Sequence, residues 1–179
     1  LSGHNSPAGR NVRHLEGEMS TYRLYVLKIL EDHKDADSFL TLAEQRLKTI
    51  KSHKFAWWDP SLLLPGDDRE AEINKYLSEA SYVIPLLSPS LLAATKDEKD
   101  REVPNIAKIQ DKLFPVMLVN VPLDGTVECF GIDARKIYRG DQPEPRSYNS
   151  LDSAYQRNRF VDGFVSQMIR RIEGRGGWR

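Results

Sequence analysis

Carboxylates are the side chains of this 179-residue chain that could carry catalysis. The chain has one cysteine, Cys129, which can form neither an intrachain disulfide nor a cysteine-based zinc site. Its four histidines lack the spacing of zinc ligands, so no metal is expected. The glycine-rich nucleotide-binding motifs and the Gly-x-Ser-x-Gly motif of hydrolases are absent from the sequence.

The composition of the chain argues against two classes of binding partner, nucleic acids and membranes. The 26 Lys and Arg residues balance the 26 Asp and Glu residues, so the net charge is zero. A neutral chain is a poor candidate for sequence-independent binding of nucleic acid, which requires many cations. The longest apolar stretches fall far short of the ~18 residues that span a bilayer, and the first residues lack a signal-peptide core. With a lone cysteine, this predicts a cytoplasmic protein without nucleic-acid or membrane partners.

The chain reads as one domain with a short tail at each end. Residues 1–18 are polar, contain three Gly residues and one Pro and show no apolar period, so they are interpreted as a disordered or cloning-derived tail. Residues 174–179 are rich in Gly and Arg and are predicted to fray. Residues 19–173 then form one domain, as expected at about 150 residues per domain.

Strand and helix patterns alternate along this domain. Apolar runs predict strands at 22–30, 55–58, 82–87 and 114–119, and a short one at 134–138. Helical spacing predicts helices capped by Asp35 and Asp67, one over 103–113 and one over 155–172. Pro85 predicts a bulge in the third strand, because proline cannot donate to its neighbour. The alternation predicts an α/β fold with a parallel sheet covered on both faces.

In such folds ligands bind at the carboxyl ends of the strands. Three segments follow the first three predicted strands, and they are the candidate binding segments: 30–35, 59–68 and 88–102. The last of these contains the charged run 96–102.

Several short motifs resemble the bacterial TIR (Toll/interleukin-1 receptor) domain family. They are His33-Lys34-Asp35, Trp58-Asp59, Leu64-Pro65-Gly66-Asp67, Leu86-Leu87-Ser88-Pro89 and Phe114-Pro115-Val116. The resemblance implies a flavodoxin-like, three-layer fold with about five parallel strands. It also implies a loop used for assembly with other TIR domains into a homo-oligomer or filament, and that loop contains Asp59, Leu62, Leu63, Leu64, Pro65, Gly66 and Asp67.

Many members of that family cleave NAD+ at the nicotinamide glycosidic bond, as NAD+ hydrolases or ADP-ribose cyclases in bacterial antiphage signalling. The resemblance implies NAD+ as a substrate, with no cofactor. It matches the catalytic glutamate of the family to Glu102, with Glu98 and Asp100 as rivals for the match. It matches the residues near the substrate to Leu30, Glu31, Asp32, Trp58 and Ser88.

Plainer roles remain open for these residues. Glu102 could serve only as an acidic residue at a helix start, and Trp58 could pack in the core. The stretch 96–101 contains no aromatic residue where the family usually has one before its glutamate. That departure favours the alternative function, a non-catalytic TIR–TIR interaction or scaffold domain.

Overall fold

The computed structural model describes residues 19–97 and 104–174. They form a parallel sheet in the order β2-β1-β3-β4. The strands are β1 (Thr21–Leu27), β2 (Lys54–Trp58), β3 (Tyr82–Leu87) and β4 (Val116–Met117). The α-helices are α1 (His33–Leu47), α2 (Arg69–Glu79), α3 (Pro89–Lys96) and α4 (Ala154–Ile172). This confirms the predicted α/β fold and its parallel sheet.

The described residues contain four strands rather than five. The predicted fifth strand is reduced to one bridge, in which the Met117 amide donates to the Tyr138 carbonyl at 2.9 Å and the Tyr138 amide donates to the Pro115 carbonyl at 2.8 Å. Pairing ends there because the chain turns away at Gly140, whose φ of +82° suits a residue without a side chain.

Helices cover both faces of the sheet, because alternate side chains of each strand point to opposite sides. Leu24 and Val26 of β1 pack against α1 and α4, with an aromatic cluster of Phe39, Tyr148, Phe160 and Phe164. Tyr25 and Leu27 pack on the other face against α2, α3 and apolar residues between 106 and 137. The result is the three-layer arrangement that was predicted.

The third helix differs from its prediction. It is α3, which begins directly after β3, whereas the described part of the predicted helix 103–113 forms two single 3-10 turns, Ile106–Lys108 and Gln110–Lys112. Ser88 caps α3 and Pro89 takes its first position, where the missing proline donor has no cost. The Ser-Pro pair therefore starts a helix as well as ending the strand.

Three local predictions were wrong. The cap residue of α1 is Asp32 rather than Asp35, and the cap of α2 is Asp68 rather than Asp67. Asp68 accepts the Ala71 amide at 3.0 Å, because the Asp67 carboxylate is already bonded within the preceding turn. Pro85 causes no bulge: β3 keeps the same offset to the next strand on both sides of it, and only the pairing is interrupted there.

None of the helices in 19–97 and 104–174 is both long enough and apolar enough to span a bilayer.

Candidate functional site

The order of the strands places a topological switch point between β1 and β3 at the carboxyl end of the sheet. The chain passes from β1 to β2 on one side, then crosses to the other side of β1 to form β3. The loops that leave β1 and β3 therefore diverge to opposite faces, and such a switch point is where α/β folds bind ligands. The predicted segment 30–35 and the described part of the predicted segment 88–102, residues 88–97, follow these two strands.

A buried contact between Asp32 and Ser88 lies at this switch point. The Ser88 hydroxyl donates to the Asp32 carboxylate, and the same Ser88 oxygen accepts the Leu91 amide at 3.0 Å. Ser88 is fully buried and Asp32 is 8% exposed. The hydroxyl therefore links the β1 loop to the first turn of α3.

The carboxyl group of Asp32 has a raised pKa in this position. Burial raises its pKa above the ordinary value, while the hydrogen bond from Ser88 opposes the rise. The neighbouring acids Asp35 and Glu31 raise the pKa further. Two predicted substrate residues, Asp32 and Ser88, are thus brought together, but they contact each other below the surface of the edge.

Two other predicted substrate residues are exposed above that contact. Leu30 is 82% exposed, and Glu31 beside it is also exposed. Their turn is fixed by His33, whose Nδ1 donates to the Leu30 carbonyl at 3.0 Å. Leu30 and Glu31 are therefore available to a ligand or a partner, whereas Asp32 positions them from below.

The fifth predicted substrate residue, Trp58, lies at the end of β2 and is half-buried. Its ring stacks on Tyr76 of α2, with centroids 4.2 Å apart and planes within 10°. On its other side the Tyr25 ring is 5.2 Å away. These contacts support the packing role that the sequence left open for Trp58.

Tyr25 adds a buried polar group that the sequence analysis did not identify. Its hydroxyl is buried and has no hydrogen-bond partner among the described residues. Burial, and secondarily the nearby Asp59 carboxylate, raise the pKa of Tyr25 above its ordinary value. The phenol therefore stays protonated and neutral at the end of β1.

Lys28 is a second residue that the sequence analysis missed. Its ammonium lies 3.2 Å from Asp37 of α1 and 3.7 Å from Asp59 at the end of β2. Lys28 and Asp59 are both largely buried, at 18% and 16% side-chain exposure. The signal in the sequence was a cation that interrupts the apolar stretch from residue 24 to residue 30. Lys28 ties the start of the predicted assembly loop to the body of the domain.

The predicted assembly loop is held by its own hydrogen bonds. The Asp59 carboxylate accepts the Ser61 amide at 2.9 Å. At the other end, the Leu64 carbonyl accepts the Asp67 amide at 3.0 Å and the Asp67 carboxylate accepts the Leu64 amide at 2.8 Å. Pro65 and Gly66 occupy the centre of this turn, and the φ of +95° at Gly66 is typical of the third position of a type II turn.

This ordered loop presents apolar side chains to solvent. Leu62 is 55% exposed and Leu64 is 69% exposed, while Leu63 between them is half-buried. With Leu30 they are three of the six large hydrophobic residues that are exposed in the described part of the chain, and all three follow β1 or β2 at the same edge. Clustered exposed leucines are typical of interaction surfaces.

The predicted catalytic carboxylates lie outside the described residues. Glu102, Glu98 and Asp100 all belong to the segment that follows α3, as do most of the residues of the charged run 96–102. The two predicted tails, 1–18 and all of 174–179 except Gly174, also lie outside them. Within 19–97 and 104–174 no cluster of three or more His, Cys, Asp or Glu side chains could hold a metal ion.

Comparison with known proteins finds no family model and no curated protein that matches this chain.

Proposed function

We propose that this chain is a TIR-type domain that cleaves NAD+ at the nicotinamide glycosidic bond, in a cytoplasmic bacterial signalling role such as antiphage defence. The observation that carries the proposal is the buried Asp32–Ser88 contact at the switch point of the sheet. It joins the loop after β1 to the start of α3, and α3 leads directly into the segment that contains the three candidate carboxylates.

The proposed reaction needs one well-placed carboxylate. The bond between the ribose C1′ and the nicotinamide nitrogen breaks, and its electron pair returns to the ring nitrogen, which loses its positive charge. The ribose becomes oxocarbenium-like, as in glycosidases. A Glu102 carboxylate beside the ribose stabilises that cation, a term worth about 3 kcal/mol in comparable sites. Water then adds at C1′ and releases a proton, giving ADP-ribose; attack by a group of the substrate itself gives a cyclic product.

Residues at the carboxyl ends of β1 and β2 position the substrate for this reaction. Leu30 and Glu31 are the exposed residues of the β1 loop, and their side chains are available for contact with the substrate. Asp32 acts on them through the backbone, because its own carboxylate is buried against Ser88. The Tyr25 ring beside Trp58 and the Lys28–Asp59 pair fix the neighbouring end of β2.

Release of nicotinamide from NAD+ tests the proposal. The purified chain is incubated with NAD+ at high concentration with a crowding agent, and nicotinamide is followed by chromatography. We expect Glu102→Gln to reduce the rate by about a hundredfold or more, because the fixed charge beside the ribosyl cation is lost. Glu98→Gln and Asp100→Asn remove the same charge a few residues away and serve as matched controls.

The controls also decide which carboxylate acts. Loss of nicotinamide release in Glu98→Gln or Asp100→Asn, with full activity in Glu102→Gln, moves the role to that rival. Unchanged release in all three variants contradicts a catalytic carboxylate in this segment. An absence of release at concentrations where light scattering shows assembly contradicts the enzymatic function.

The second candidate function is a TIR–TIR interaction or scaffold domain without catalysis. The observation that favours it is the ordered turn Leu64 to Asp67, which exposes Leu62 and Leu64 on a backbone fixed by its own hydrogen bonds. A rigid apolar loop loses little conformational entropy when it binds. Concentration-dependent assembly without nicotinamide release is the result expected of a scaffold.

A further inference from the structure

A second candidate site lies away from the carboxyl edge, where the chain enters β4. A groove of about 540 Å³ is bounded by the residues before β4, the residues before Tyr138 and the last turn of α4. Its cations are Arg135, Lys136, Arg170 and Arg171. No carboxylate lines the groove among the residues that the structure describes.

The local excess of positive charge contrasts with the neutral chain. Twenty-six cations balance twenty-six acids over the full sequence, yet four cations converge on this groove. Arg170 and Arg171 in the last turn of α4 offset the negative end of the helix dipole, which is equivalent to about half a charge. That role does not explain Arg135 and Lys136, which come from a separate segment and line the same groove.

The floor of the groove is apolar. Leu113 and Phe114 lie there, and the Phe114 ring packs edge-on against Phe164 of the core at 5.5 Å. The Phe114 amide donates to the Val83 carbonyl at 2.8 Å, so the floor is anchored to β3. A fixed half-buried aromatic ring beside a cationic rim suits a ligand that is flat and apolar at one end and anionic at the other.

We propose that this groove binds a nucleoside di- or triphosphate, with its phosphates on the arginine and lysine side chains and its base on the Phe114 side. Guanidinium groups suit phosphate oxygens because they donate paired hydrogen bonds. The volume of the groove falls within the range of ligand pockets, which is about 300–1,000 Å³. The proposal is independent of NAD+ cleavage, which would take place at the carboxyl ends of the strands.

Calorimetric titration with ATP tests this site at low and at raised salt. The double variant Arg135→Gln/Lys136→Gln removes two groove cations. The matched control Arg159→Gln/Lys51→Gln removes one arginine and one lysine from exposed positions outside the groove. We expect the groove variant to bind ATP about twentyfold more weakly than the wild type, because each exposed charge pair contributes up to about fivefold in affinity. The affinity of the control variant for ATP should stay within about twofold of the wild-type value.

Two further ligands test the phosphate contacts and the base contact of the proposal separately. Tripolyphosphate is expected to bind about tenfold more weakly than ATP, because it lacks the base that would contact Phe114. Adenosine is expected not to bind measurably. Equal affinity for tripolyphosphate and ATP overturns the nucleoside assignment in favour of a simple anion site.

Three results overturn the binding site itself. The first is that ATP shows no saturable binding at low salt. The second is that the two double variants lose equal affinity for ATP. The third is that light scattering shows a dimer that excludes ATP and that the groove variant alone fails to form. The last result would identify a second copy of the chain as the occupant. Wild-type activity or inactivity toward NAD+ has no bearing on these outcomes.

Discussion

The two halves of the carboxyl edge are built in opposite ways. Between β1 and β3, the edge is closed by a buried polar contact, Ser88 to Asp32, with a helix start stacked onto it. Beyond β1, on the β2 side, the chain forms an exposed loop that is fixed by local turns and by Lys28. One half is ordered by burial and the other by short-range hydrogen bonds.

This difference teaches which changes each half tolerates. A buried hydrogen-bonded pair is costly to break, because the remaining partner keeps its desolvation cost. An exposed loop can change its side chains freely as long as its turn residues stay. We therefore expect the β1–β3 half to govern stability and the loop to govern association.

The substitution Ser88→Ala is expected to have the largest effect on stability. It removes the cap of α3, worth about 1 kcal/mol, and leaves Asp32 buried without its donor, worth about 1–3 kcal/mol. Together we expect a loss of about 2–4 kcal/mol in the free energy of unfolding, measured by urea denaturation.

Ser153→Ala is the matched control for that loss. Ser153 caps α4 by accepting the Gln156 amide at 3.2 Å, but it is exposed and contacts no buried carboxylate among the described residues. We expect about 1 kcal/mol or less there. Equal losses in the two variants would mean that the Asp32–Ser88 contact contributes nothing beyond a helix cap.

Asp32→Asn is expected to have a smaller effect, which depends on pH. Because burial raises the pKa of Asp32, the folded state binds its proton more readily than the unfolded chain. Its contribution to stability is therefore largest below the ordinary value of 3.8 and falls as the pH rises through the raised pKa. The asparagine side chain carries no charge and keeps an acceptor for Ser88. The free energy of unfolding of the variant should therefore not fall with rising pH in this way, and at pH 7 it should equal or exceed that of the wild type.

Asp124→Asn removes a carboxyl group whose contribution to stability changes with pH in the opposite direction. Two hydrogen bonds from Thr126 lower the pKa of the exposed Asp124 carboxyl group. Its stabilising contribution is present above the ordinary value and is lost as the pH falls through the lowered pKa. Denaturation curves between about pH 3 and 8 should separate the two variants, and parallel pH profiles for both would contradict the burial of Asp32.

The sequence predicted the regular parts of this molecule better than the connections. The apolar run of β3 and the period of α4 predict those elements to within one residue, because their burial is set by their own repeat. The helix after β3 was predicted too late, because its start depends on a serine cap that also looks like a strand end. The predicted fifth strand is reduced to a single residue that pairs with β4 in the described part of the chain.

The site was predictable only as far as its segments. Strand alternation indicated the loops after β1, β2 and β3, and the turn residues Pro65 and Gly66 indicated the exposed loop. The pairing of Asp32 with Ser88, 56 residues apart, could not be predicted from spacing. Neither could the double contact of Lys28, because both depend on how the crossover packs against the sheet.

The double variant Leu62→Ser/Leu64→Ser is expected to have the smallest effect on stability. Both side chains are more than half exposed, so the free energy of unfolding should change by no more than about 0.5 kcal/mol. If the loop binds a partner copy, the same variant should raise the concentration needed for assembly about tenfold or more, because each leucine buried at an interface is worth about 1–2 kcal/mol.

Leu123→Ser is the control, since Leu123 is also exposed, at 38%, but lies beyond β4. Sedimentation at several concentrations measures assembly, and urea denaturation of the same samples measures stability. Equal shifts in assembly for the loop variant and the control would mean that general hydrophobicity drives association. A loss of stability above about 1 kcal/mol in the loop variant alone would mean that the leucines pack into the domain, and the contrast between the two halves of the edge would fail.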